Sequence, residues 1–301
     1  MNNGNNGEIP VKKAPLGGVN PLLMIILVLL TVFFTYQILG GIIGLIVSGT
    51  ERDVNYMRLA ITFAQYMFIL APVLFLNMLQ GNNVKTAFRL RMPVIPVFIL
   101  AAAGIIILQP FLQMIMYYQN EIILNMPLGS EYVRKVKEFI DILEKETLKI
   151  VTSYSLLEFI VVTFVVAVTP AVCEEFMFRG IILTNFEKIT KIWKAFLFTG
   201  LIFAVFHFHP FNLIPLILLG FYLAFVTYYS RSIFTAIFVH FLNNLISALA
   251  VYVYGREILE SSPMSASEHL QLISAGVISF ALFILIIIAI IRLFNKSASN
   301  V

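Results

Sequence analysis

Charge is scarce in this chain. Asp, Glu, Lys and Arg make up 12% of its 301 residues, about half the share that soluble domains carry. Hydrophobic residues make up 60% and mean hydropathy is +0.93, and no soluble fold of this length buries enough surface to hide that excess. A soluble enzyme is thereby excluded, and a bilayer is the expected solvent. Cysteine is nearly absent: Cys173 is the single example, so neither an internal disulfide nor a cysteine-based metal knuckle can form. No long hydrophilic stretch is available to fold as a separate soluble domain. Net charge is only +4 and the basic residues are not clustered among aromatics, which excludes nucleic acid as a partner.

Apolar runs of bilayer-spanning length fill the rest. They lie near 21–47, 56–79, 94–118, 156–183, 193–208, 213–229, 233–252 and 274–294. The expected fold is all-α, a polytopic membrane helix bundle of about eight transmembrane helices. The runs at 193 and 213 are short enough to be tilted or partly buried. Residues 1–20 read as a disordered cytoplasmic leader, and the run that follows is too long for the core of a cleaved signal peptide. Segment 131–150 has Val133, Val136, Phe139, Ile140, Leu143, Thr147 and Ile150 at helical spacing with charges opposite, which predicts one amphipathic helix, interfacial or packed on the bundle as a connector. With the N-terminus inside, Lys12, Lys13, Lys85, Arg89, Arg91, Lys188, Lys191, Lys194, Arg231, Arg292 and Lys296 lie on the inner side, 11 against 8 outside (Arg52, Arg58, Arg134, Lys135, Lys137, Lys145, Lys149 and Arg256), five of the 8 in segment 131–150, which places both termini in the cytoplasm. The expected location is the cell (plasma) membrane. The chain divides into the leader (1–20), N-terminal helices with the amphipathic segment (21–155), a core carrying the chemistry (156–252), and a polar loop, last helix and tail (253–301).

Ionisable groups inside apolar spans are costly and by default mark function. Here they gather in the second half: Glu174, Glu175 and Arg179 in one span, His207 in the next, and His240 with Asn244 further on. Everything before Leu156 reads as scaffold. Glu175 and Arg179 are four apart and share a helix face, in the favourable acid-before-base order, whereas Glu174 is turned about 100° away. One glutamate is tied down and the other is free to act on water. His240 and Asn244 project together, as do Phe203 and His207, so three helices can converge on one cavity holding a base and donors suited to carbonyl hydrolysis. Counted at about 1.5 Å per residue from turns near Asn185 and Arg231, Glu174 and His240 share a depth, while His207, counted from 191–193, falls roughly 7 Å deeper.

The strings EExxxR (Glu174 to Arg179), FxxxH (Phe203 to His207) and HxxxN (His240 to Asn244) resemble, in order, the signature of the CPBP intramembrane proteases, the family that holds the type II CAAX prenyl endopeptidase and bacteriocin self-immunity proteins. The resemblance covers roughly 156–252. It implies an intramembrane endopeptidase in which Glu174 activates water with help from His207, His240 and Asn244 stabilise the oxyanion, and Glu175 pairs with Arg179 to brace the site. It implies no cofactor, and as partners a membrane-associated protein or peptide substrate and the lipid bilayer. A zinc alternative would use Glu174, His207 and His240 as ligands and Glu175 as base. The metal-free form is favoured because HExxH is absent and the Glu175–Arg179 pairing would leave no free base. Nothing in the sequence reads a prenyl group.

Blander readings stand beside these. The acids and Arg179 would also serve as a packing salt bridge, and the histidines with Asn244 as interhelical hydrogen-bonding glue. A proton or cation relay would need polar groups along a whole transmembrane path, whereas these cluster at one level. A non-catalytic immunity protein is the third class. Cys173, in apolar surroundings beside two carboxylates, is not an activated nucleophile. His209, directly before Pro210, reads as an interfacial residue, and His269, in a polar loop, as solvated.

Overall fold

The computed structural model describes residues 14–48, 54–126, 130–255 and 264–299. Residues 1–13 of the expected leader lie outside these. Residues 14–20 fold back, with the Leu16 N–H donating to the Leu79 carbonyl at 2.8 Å. Regular structure among the described residues is all helical. Seven helices are long and apolar enough to cross a membrane: α1 Pro21–Val47, α2 Val54–Leu79, α3 Ile95–Leu124, α5 Leu156–Ile189, α7 Pro210–Ser230, α8 Ile233–Tyr254 and α9 Ala266–Lys296. The amphipathic α4, Ser130–Val151, joins α3 to α5. The eighth expected span is α6, Ile192–Phe206, shorter than the rest at 15 residues.

Local sequence sets the boundaries. At Ser155 the side chain accepts from the Glu158 N–H, while Glu158 Oε2 takes the Tyr154 N–H. This side-chain exchange starts α5. The same device starts α9: Ser265 Oγ accepts from the Glu268 N–H and Glu268 Oε2 from the Ser265 N–H at 2.7 Å. The last helix therefore begins eight residues before the apolar run read at 274. His269 consequently sits in a helical turn against Tyr117 and Tyr118 and not in a solvated loop.

The amphipathic α4 docks through Ile140 and Ile150, leaving Phe139 and Ile142 exposed. Its last carbonyls have no intrahelical donors, and Arg58 of α2 supplies them, donating to Ile150 O at 3.0 Å and Thr152 O at 2.7 Å while pairing with Glu158 at 2.8 Å. Arg58, read from the sequence as a connection residue, is thus buried.

The tightest helix pairs are α6 against α7 and α3 against α9. Two glycines make the first possible. A Cβ on Gly200 would stand 2.7 Å from the Ile217 carbonyl, and one on Gly220 would stand 2.8 Å from the Gly200 Cα. Both are shorter than any real Cβ contact, so the helices cross backbone to backbone, as small residues allow in membranes.

Candidate active site

The two adjacent glutamates of α5 have opposite surroundings. Glu175 is fully buried, and its Oε1 accepts from Arg179 Nη1 at 2.9 Å and from His240 Nδ1 at 2.8 Å. Arg179, 1% exposed, donates its other terminal nitrogen to the Gly220 carbonyl at 2.9 Å. The α6–α7 crossing is what brings that carbonyl within reach. The guanidinium also lies over the Phe203 ring, 5.0 Å from its centre, a contact that grows in value when desolvated. Four helices are therefore pinned to one carboxylate: α5 directly, α8 through His240, α6 through Phe203 and α7 through Gly220.

Glu174 points elsewhere. Its side chain, 19% exposed, faces His207, 30% exposed, with 3.7 Å between Glu174 Oε2 and His207 Nε2. Both line a cavity of about 230 Å³ together with Tyr36, Gln37, Ile69 and Phe206. The mismatch between Glu174 and His207 read from the sequence disappears, because α5 runs on to Ile189 and does not turn near Asn185, while by the same count His240, seven residues into α8, no longer shares their depth. Glu174 then stands fifteen residues, about 22 Å, from the end of α5, and His207 the same count from the start of α6.

The Phe203 carbonyl can only accept, so His207 Nδ1, at 2.6 Å from it, carries a hydrogen, and Nε2 is turned toward Glu174. A gap of 3.7 Å is too long for a direct hydrogen bond and suits one water touching both groups. His207 is placed by the end of α6: Phe208 adopts a left-handed conformation with φ of 51°, costing about 1 to 2 kcal/mol for a residue other than glycine, and Pro210 prevents the helix from continuing.

First-half residues complete the wall, which corrects the reading of everything before Leu156 as scaffold. Tyr36 and Gln37 of α1 line the cavity. Gln37 Nε2 donates to the Phe206 carbonyl at 3.1 Å, satisfying an acceptor that the helix end leaves open. The available signal was a glutamine beside a tyrosine in an otherwise apolar run.

His240, 3% exposed, and Asn244 are not among the residues lining that cavity. His240 gives Nδ1–H to Glu175, so Nε2 is the nitrogen left for another partner, and it can donate only when the ring carries both protons. The Asn244 side-chain oxygen accepts from Asn243, itself bonded to Gln109 of α3. His209 pairs with Glu144 of α4 at 3.0 Å, and Cys173 is buried.

Zinc would need its ligand atoms at about 2.0 to 2.2 Å from one point. The set Glu174, His207 and His240 is not gathered in that way here, because His240 is not on the cavity wall that Glu174 and His207 share. Among the described residues no three His, Cys, Asp or Glu side chains are grouped to hold a metal.

Residues 156–246 match the family model described as Type II CAAX prenyl endopeptidase Rce1-like. The match begins with α5 and takes in Glu174, Glu175, Arg179, His207, His240 and Asn244, in just under a third of the chain. It bears out the resemblance to the CPBP family carried by the three motifs. At the level of the family, this segment is similar to that of a type II CAAX prenyl endopeptidase. With its seven membrane-length helices, the chain is an integral, multi-pass membrane protein. Comparisons with curated proteins and with solved structures returned no match.

Proposed function

We propose that this protein is an intramembrane endopeptidase that hydrolyses a peptide bond in a membrane-associated protein or peptide, using water activated by Glu174 and oriented by His207. The observation that supports this best is the Glu174–His207 pair, separated by 3.7 Å on the wall of a cavity. Water attacks the scissile carbonyl as Glu174 takes its proton. The tetrahedral intermediate collapses, the C–N bond breaks, and Glu174 returns that proton to the leaving amine. In this reading Glu175 and Arg179 brace the site, and the oxyanion role that the family resemblance implies falls to His240 and Asn244, which lie off the cavity wall formed with Glu174 and His207. No step in this reading runs through a metal.

The test compares newly formed peptide ends, by mass spectrometry, in membranes of cells expressing the native chain or Glu174→Gln at matched levels. Ends present with the native chain and missing with the variant establish proteolysis and name the substrate. Identical ends, with the variant folded and inserted, remove the proposal.

A further inference from the structure

A second cavity adjoins the first. It measures about 240 Å³ and lies between α1 and α2, lined by Gly40, Gly41 and Gly44 on one side and by Met57, Ala60 and Ala64 on the other. Tyr36 and Gln37 border both cavities, so the two are neighbours across a shared pair of side chains. From Tyr36 to Gly44 is about 12 Å along the helix, the length of three to four residues of extended chain at about 3.3 Å each. No charged side chain lines the groove.

The glycines carry the argument further. A Cβ built on Gly41 or Gly44 meets no atom within 4 Å, so helix packing does not require glycine there, in contrast to the crossing at Gly200 and Gly220. What their missing side chains leave is open volume leading away from Glu174. The end nearest Glu174 is polar. Gln37 gives one N–H to the Phe206 carbonyl and keeps a second N–H and a carbonyl oxygen, groups that an extended peptide backbone can use and a hydrocarbon chain cannot.

We propose that this groove is a specificity subsite for the reaction argued above: it holds three to four extended, apolar residues of the substrate on one side of the scissile bond, Gln37 bonds their backbone at the junction, and Gly44 sets the size of side chain accepted at the far end. This rests on the endopeptidase reading and adds what that reading lacks, a statement of substrate class.

Gly44→Leu tests it well, because the new side chain enters open space and leucine is a better helix former than glycine. Peptide ends are compared among cells expressing the native chain, Gly44→Leu, Gly44→Ala and Glu174→Gln. The expected result is that Gly44→Leu depletes ends flanked by large apolar residues by about tenfold or more and spares ends flanked by Gly or Ala, with Gly44→Ala intermediate. For one substrate so found, replacing its large flanking residue by Ala restores cleavage by Gly44→Leu. An end profile for Gly44→Leu identical to that of the native chain, or a loss of all ends regardless of flanking residue, overturns the subsite and leaves the protease standing. Loss of a copurifying phospholipid from Gly44→Leu with an unchanged end profile assigns the groove to lipid and also overturns it. Ends that persist in Glu174→Gln remove the protease reading itself, a distinct result.

Discussion

Glu174 and Glu175 are neighbours in the chain and opposites in the fold. Glu175 is spent on structure: Arg179 and His240 hold its Oε1 in a fully buried cluster. Glu174 is left with a neighbour at 3.7 Å and a cavity in front of it. A rotation of about 100° between successive helical residues is all that separates them. In a membrane core, a carboxylate that is to do chemistry must be kept unpaired beside one that is paired, and placing the two in sequence lets one helix supply both.

Perturbations that act on only one of the pair sharpen this contrast. The largest effect is expected for Glu174→Gln, which should lower cleavage by about 10²- to 10⁴-fold, the range for removing a general base, while thermal unfolding in detergent stays close to native. Loss of folding in this variant would show that Glu174 is also structural. Next comes Arg179→Leu, which leaves Glu175 buried beside His240 without its cation. Breaking a buried pair from one side costs about 3 to 5 kcal/mol, read as a lowered unfolding midpoint and reduced membrane yield, and a variant as stable as the native chain would undo the bracing role. Gly220→Ala forces a methyl into the α6–α7 crossing, with an expected cost of about 1 to 3 kcal/mol and a matching loss of activity as the Gly220 carbonyl moves away from Arg179. Gln37→Leu removes a donor from the Phe206 carbonyl at about 1 to 3 kcal/mol, and its unfolding midpoint is the readout. The smallest effect is expected from a zinc chelator, which should leave cleavage within about twofold of the untreated rate; abolition reversed by zinc would instead require ligands gathered differently from the geometry described.

The span bounds of α1 were legible to the residue, because an uninterrupted apolar run is the strongest signal a membrane sequence offers. The pairing of Glu175 with Arg179 followed from helical periodicity. The start of α9 was also written in the sequence, as Ser265-x-x-Glu268, yet hydropathy alone puts it eight residues late. Glu174 came out too shallow for a similar reason: Glu187 and Lys188 look like the end of a span, but α5 carries them through to Ile189 with Glu187 paired to Arg89. Tyr36 and Gln37 left no charge to notice, and only the meeting of α1 with the end of α6 gives them a place at the cavity. Asn244 shows the converse: one turn after His240 it shares a face with it, but its contact with Asn243 is set by the neighbouring α3, which periodicity along α8 does not see.

The brevity of α6 has a consequence for how hydrolysis obtains its reagent. Fifteen residues of helix extend about 22 Å, whereas the hydrocarbon core is about 30 Å thick. A helix of that length is too short to cross that layer, and its end is His207, with His209 and Asn212 just beyond. Lipid next to it must thin, or leave a dent that water fills. A helix this short would let the aqueous boundary dip toward the cavity that Glu174 and His207 line.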